Sequence, residues 1–166
     1  MSTRSVRILA IDPGLQYLGV AILEGEELLW YGVKTFPKVT CPLDLCCQVR
    51  RFLTNLAATY SPSVVAIESP FYPQAVGNEE LNKLTAALIS WAKWKGLKVV
   101  TSTPPEVKAF FCRDQKTKQS LAEAMISRYP FLARYLSPLP WRRRYWFYVF
   151  DAVGLGLMCV RKMARS

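Results

Sequence analysis

The sequence predicts an α/β protein: a five-stranded mixed sheet, three antiparallel strands and then two parallel ones, flanked by helices. Three observations predict it. Three short apolar runs open the chain, separated by tight-turn signals. Two more apolar runs each follow a segment with helical spacing. Everything beyond residue 104 reads as helices and connectors. Tight turns between consecutive strands imply an antiparallel meander. A strand reached through a helical crossover lies parallel in the same sheet.

Residues 6–11 (VRILAI) read as a buried strand ending at Asp12, and Asp12-Pro13-Gly14 is a turn signal. Residues 17–23 and 27–36 give the second and third strands, with Gly25 in the turn between them. Leu45, Val49, Phe52, Leu53, Leu56 and Ala57 fall at helical spacing within 43–59, and Ser61-Pro62 stops that helix. Residues 63–67 (SVVAI) are an apolar strand ending at Glu68, followed by a loop over 69–77. Residues 79–95 carry Leu81, Leu84, Leu88 and Trp91 on one helical stripe, with Gly96 as the stop. Residues 97–101 are the fifth strand. A short helix begins at Pro105, another spans 117–128, and 130–140 is a proline-marked connector. The last helix covers 142–164. Its apolar stretch 145–160 is shorter than the roughly 20 residues of a membrane span and has Asp151 at its middle, so it reads as a buried helix.

A chain of 166 residues suits one domain with a real core and is short for two, so residues 1–166 are expected to form a single domain. Histidine is absent, which removes Ser-His-Asp and Cys-His triads, HExxH zinc sites and imidazole acid–base chemistry. Catalysis must come from carboxylates, Lys, Tyr, Cys or a metal held by oxygen. The net charge is +10, and residues 101–166 alone hold 12 basic and 4 acidic residues. A basic excess confined to one part of the chain suggests a polyanion partner, nucleic acid first. The other reading is charge for solubility, which is usually scattered. Five cysteines, an odd number without a CxxC pair, fit reduced packing thiols. The start MSTRSVR runs straight into a strand and leaves no room for a signal peptide. The expected location is the cytoplasm, near the nucleoid, or a host cytoplasm if the chain is phage-encoded.

Asp12 and Glu68 end two strands expected to lie side by side, roughly 4.8 Å apart. Ligand sites in open α/β sheets gather at such strand ends. Two like charges that close repel unless a cation lies between them, and hard ions such as Mg²⁺ or Mn²⁺ prefer oxygen ligands. Asp151 is the third acid. Its neighbours one helical turn away are Phe147, Tyr148, Gly154 and Leu155, so no basic residue on its own helix pairs with it. A metal would supply the partner. Singly, each acid has a plain alternative: a turn residue, a solvated strand end, a cap.

The segments ILAIDPGLQYLGVAIL (8–23), VVAIESPF (64–71) and FDAVGLGL (150–157) resemble the RuvC-type Holliday-junction resolvases of the RNase H-like superfamily. Asn78, Lys83-Leu84, Val107-Lys108 and Lys118-Gln119-Ser120 fit the same pattern, in order along nearly the whole chain. The resemblance implies a dimeric, metal-dependent endonuclease that cuts two opposed strands of a four-way DNA junction, with no small-molecule cofactor and no membrane. It implies metal-binding roles for Asp12, Glu68 and Asp151, a wedging or stacking role at the junction for Phe71, and phosphate contacts for Lys108 and Lys118. One position departs from the pattern. The family places an acid or a histidine one helical turn before the last Asp, where this chain has Tyr148. A phenol of ordinary pKa near 10 is a poor ligand for a hard metal.

The expected chemistry is two-metal phosphodiester hydrolysis with Mg²⁺ or Mn²⁺, Asp12 bridging both ions and Glu68 and Asp151 each completing one. Arg142, Arg143 and Arg144, with Lys108, Lys116 and Lys118, are read as phosphate contacts. The alternative for the arginine run is a solvated helix start. Phe71 and Tyr72 are read as stacking on unpaired bases, or else as loop aromatics packed on the core. The helix 79–95, with Leu81, Leu84, Leu88, Trp91 and Trp94, is the expected dimer interface. Two other readings stay open: a junction-binding protein without activity, and a nuclease of this fold acting on RNA–DNA hybrid or flapped DNA.

Overall fold

The computed structural model describes residues 5–37, 41–69 and 79–166. Its five strands are β1 (Arg7–Asp12), β2 (Tyr17–Glu24), β3 (Glu27–Thr35), β4 (Val64–Glu68) and β5 (Lys98–Ser102). They form one sheet in the order β3-β2-β1-β4-β5. β1 pairs antiparallel with β2, and β2 with β3. β1 pairs parallel with β4, and β4 with β5. The helices are α1 (Pro42–Tyr60), α2 (Glu79–Trp94), α3 (Pro104–Phe111), α4 (Lys118–Arg128) and α5 (Pro140–Ala164).

Alternation along β1 sends Ile8 and Ala10 to one face and Leu9 and Ile11 to the other, and all four are buried. A sheet buried on both faces needs an apolar cover on each. α3, α4 and α5 supply one through Val107, Leu121, Met125 and Phe150. α1 and α2 supply the other through Val49, Leu53, Leu84, Leu88 and Trp91. Three of the five residues expected at the dimer interface therefore lie inside the protomer. Leu84, Leu88 and Trp91 belong to the core, and the Trp91 indole N–H donates to Thr54 Oγ1 at 3.1 Å. Leu81 is half-buried, and only Trp94 of that set is exposed, at 77%.

α5 lies close against β1 and β2 because small residues meet there, Ala10 and Gly19 on the strands and Gly156 on the helix. A Cβ on Gly19 would run into the backbone carbonyl of Tyr148, and one on Gly156 would run into Leu23 and stand 3.1 Å from the Ala10 methyl. Close packing of α5 carries Asp151 to the end of β1.

The connector 130–140 holds a 3₁₀ helix over Pro130–Tyr135 that periodicity did not reveal. Beside it, the Tyr129 hydroxyl donates to the Glu26 carbonyl at 2.7 Å, while Arg128 and Arg161 both bind the Glu26 carboxylate. These contacts fasten α4 and α5 to the β2–β3 turn, at the far end of the sheet from Asp12. None of the described helices is long and apolar enough to cross a membrane.

Candidate metal centre

The parallel register of β1 and β4 pairs Ile11 with Ile67, so Asp12 and Glu68 follow side by side at the carboxyl ends of their strands. α5 adds Asp151 from the face above. One carboxylate oxygen from each of the three lies within 4.8 Å of the others. Asp12 is 7% exposed and Asp151 3%, while Glu68 is half-buried. A recess of about 110 Å³ opens beside them, lined by Asp12, Pro13, Glu68, Ser69, Leu81 and Pro104.

Burial, and then the charges of Glu68 and Asp151, raise the Asp12 carboxyl well above its ordinary range. Burial, and then the charge of Asp151, push Glu68 up to about 8. Three ionised acids would outnumber the two nearby ammoniums, Lys118 and Lys108, and leave an uncompensated negative charge in a small space. A hard divalent cation with oxygen ligands matches that donor set.

This has a consequence for stability. An unfolded chain gives up the Glu68 proton near 4.5, the folded, ion-free protein near 8. Between those values unfolding releases a proton, so rising pH favours the unfolded state. The contribution is whole below about pH 4.5 and lost as pH passes about 8, on the order of a few kcal/mol. Melting curves in chelator are expected to shift down between pH 5 and 8, and Mg²⁺ is expected to reverse the shift at pH 8. A flat profile in chelator would show that burial and the neighbouring Asp151 do not raise Glu68 in the fold.

Asp151 has a partner that the sequence reading did not provide. Thr117 caps α4, its Oγ1 accepting the Ser120 N–H at 3.0 Å, which makes Lys118 the first residue of that helix. The Lys118 ammonium donates to Asp151 Oδ2 at 2.8 Å. Burial works to lower the Lys118 pKa, but the charge and hydrogen bond of Asp151 outweigh it and raise it. The expectation of an unpaired Asp151 is therefore corrected, and Lys118, read as a phosphate contact, lies in the acid cluster.

Tyr148 stands beside the site, one turn before Asp151. Its hydroxyl would be 3.1 Å from a Cβ on Gly14, so the glycine after Pro13 gives the phenol its room. Burial and then the charge of Asp12 raise its pKa, which keeps it a neutral donor and acceptor.

The other predicted residues are more spread. Lys108 is close enough to lower the Glu68 pKa by its charge. Lys116 is exposed on the connection into α4. The Arg142 guanidinium lies over the Trp141 ring at 5.0 Å, and Arg143 donates to the Pro138 carbonyl at 3.3 Å. Arg144 borders two grooves. One, of about 570 Å³, is shared with Lys118, Gln119, Arg143 and Phe147. The other, of about 790 Å³, is shared with Tyr17, Trp141, Tyr145 and Tyr148. Phe71, Tyr72 and Asn78 lie outside the described residues.

Sheet order, crossover and strand-end acids together define an α/β protein of RNase H-like fold with three carboxylates gathered at one sheet edge. No family model matches the chain. It is 32% identical over 133 residues to the crossover junction endodeoxyribonuclease RuvC of Salinispora arenicola, covering 74% of each. The chain belongs to the RuvC family of crossover junction endodeoxyribonucleases. Its fold is that of T. thermophilus RuvC, solved in complex with a Holliday junction substrate, at TM-score 0.75, 16% identity and 96% coverage of each chain. The yeast mitochondrial Holliday junction resolvase Ydc2 superposes with TM-score 0.71 at 13% identity, over 98% of this chain and 80% of that one.

Proposed function

We propose that this chain resolves four-way DNA junctions by paired, metal-dependent phosphodiester hydrolysis. The convergence of Asp12, Glu68 and Asp151 oxygens within 4.8 Å, in a member of this family, carries the reading. Asp12, Glu68 and Asp151 would together hold the Mg²⁺ or Mn²⁺ ions, expected to be two, through these oxygens. Bound there, such ions supply an activated water near neutral pH and stabilise the leaving oxygen.

The chain's own groups do the rest. Buried carboxylates stay in place because β1, β4 and α5 hold them. Tyr148 orients water or a phosphate oxygen as a neutral hydrogen-bonding group in the position where the family has a fourth ligand. Lys108, Lys116, Arg142, Arg143 and Arg144 hold phosphates on either side of the cut. Phe71 and Tyr72 stack on bases at the crossover. Two symmetric cuts in a junction of approximate two-fold symmetry require two sites, which a C2 homodimer provides. All of this belongs to one domain over residues 1–166.

A second reading rests on Tyr148: with one ligand fewer than the family pattern, the chain binds junctions and cuts them poorly or not at all. One experiment separates the two. The protein is incubated with a synthetic four-way junction, a duplex and an RNA–DNA hybrid in Mg²⁺, Mn²⁺ or Ca²⁺. Paired symmetric nicks confined to the junction are expected, with junction affinity falling steeply as salt rises. Binding without nicks in any metal supports the second reading, and nicks confined to the hybrid reject both.

A further inference from the structure

The groove beside Tyr148 has a composition that metal binding does not call for. It runs between the β1–β2 turn and the first turns of α5, holds about 790 Å³, and includes Tyr17, Trp141, Arg144, Tyr145 and Tyr148 in its lining. Tyr17 joins its rings into one wall: it packs edge-on to Tyr145 with centroids 5.3 Å apart and tilted against Tyr148 at 5.8 Å. Trp141 is 65% exposed and Leu15, at the turn, 39%. A large indole left in water beside further apolar groups marks a surface that something covers.

Three observations say what covers it. The groove adjoins the acid cluster: Pro13 and Leu81 line both the recess and the groove, and Tyr148 in the groove lies one turn before Asp151 on α5. The charges at its edge are positive: Arg144 is in the lining, Arg142 rests on Trp141, and no acid is among the described lining residues. Two copies of this +10 chain repel one another overall, which favours a polyanion over a second copy at such a rim. An unstacked nucleotide brings both parts, a flat apolar base and a phosphate.

We propose that this groove is a base-stacking subsite. It takes one unstacked nucleotide of the strand being cut, flanking the scissile phosphate, with its base on Trp141 and Tyr145 and its phosphate on Arg144. The proposal rests on the junction-cutting reading above. It adds a grip on the cut strand that is separate from the acids.

Trp141 is the residue to change, because it is exposed in the first turn of α5 and its loss leaves the core intact. Junctions carrying 2-aminopurine at single positions around the cut are titrated with protein in Ca²⁺, which keeps the measurement independent of cleavage. One position next to the scissile phosphate is expected to change fluorescence on binding. Trp141→Ala is expected to erase that change and weaken junction binding roughly tenfold, and Trp141→Phe to restore most of both. Unchanged fluorescence and affinity in Trp141→Ala overturn the subsite and leave the junction reading standing. A dimer-to-monomer shift on sedimentation of Trp141→Ala, with the fluorescence change retained, overturns it in favour of a second copy. Failure of the parent protein to bind junctions at all removes the reading beneath it and the subsite with it.

Discussion

Asp12→Asn is expected to lower the single-turnover rate of junction cutting by at least about 10³-fold and to leave junction affinity within about twofold. Asn keeps the shape of a side chain that is 7% exposed, so the end of β1 stays packed. What changes is charge. Asp12 faces both Glu68 and Asp151, and an amide there removes the anion that both neighbours share. On the proposed function, DNA affinity arises elsewhere, on the basic groups of α5 and of the segment leading into α4. The same substitution has a second readout with the opposite sign. Burial and the two neighbouring acids make an ionised Asp12 costly without a cation. In chelator at pH 8, Asp12→Asn is therefore expected to melt above the parent protein. A variant that is more stable and inactive cannot owe its inactivity to unfolding. Cutting at the parent rate would show that Asp12 is not at the reacting centre.

Much of this site was legible in the sequence. β1 and β4 are apolar runs that stop at an acid, and the helix between them forces a parallel pairing, so Asp12 and Glu68 had to meet. Asp151 stood out because its own helix offers no counter-charge. Lys118 did not, because it lies on α4, and only the packing of α4 on α5 brings it to Asp151. The stripe on α2 was visible, but its destination was not. Leu84, Leu88 and Trp91 would suit a partner or a sheet equally well, and periodicity does not say whether a sheet face still lacks cover. The 3₁₀ helix at Pro130–Tyr135 was hidden for another reason. It is six residues long between prolines, and Glu26, which anchors its neighbourhood, lies about a hundred residues earlier in the chain.

Lys118→Met is expected to move metal binding and catalysis in opposite directions. The ammonium lies 2.8 Å from Asp151 Oδ2 and, by its charge, also acts on Asp12 and Glu68. In the ion-free protein it is the counter-charge of the cradle. An incoming divalent cation meets that positive charge, so removing it is expected to tighten Mn²⁺ binding in the absence of DNA roughly tenfold, read by titration calorimetry or by the loss of free-Mn²⁺ paramagnetic resonance. Met preserves the aliphatic stem of a side chain that is half-exposed, so packing on α5 changes little. Cutting is nevertheless expected to slow by about 10- to 100-fold at saturating metal, because a cation displaced from Asp151 remains on a flexible stem beside the reacting phosphate, where it favours developing negative charge. Arg is not an equivalent replacement, since its planar fork would hold the carboxylate in a different geometry. If Lys118→Met weakened metal binding, the ammonium would be organising the cradle rather than competing for it. If metal binding tightened and cutting kept its parent rate, Lys118 would serve the ion-free protein alone.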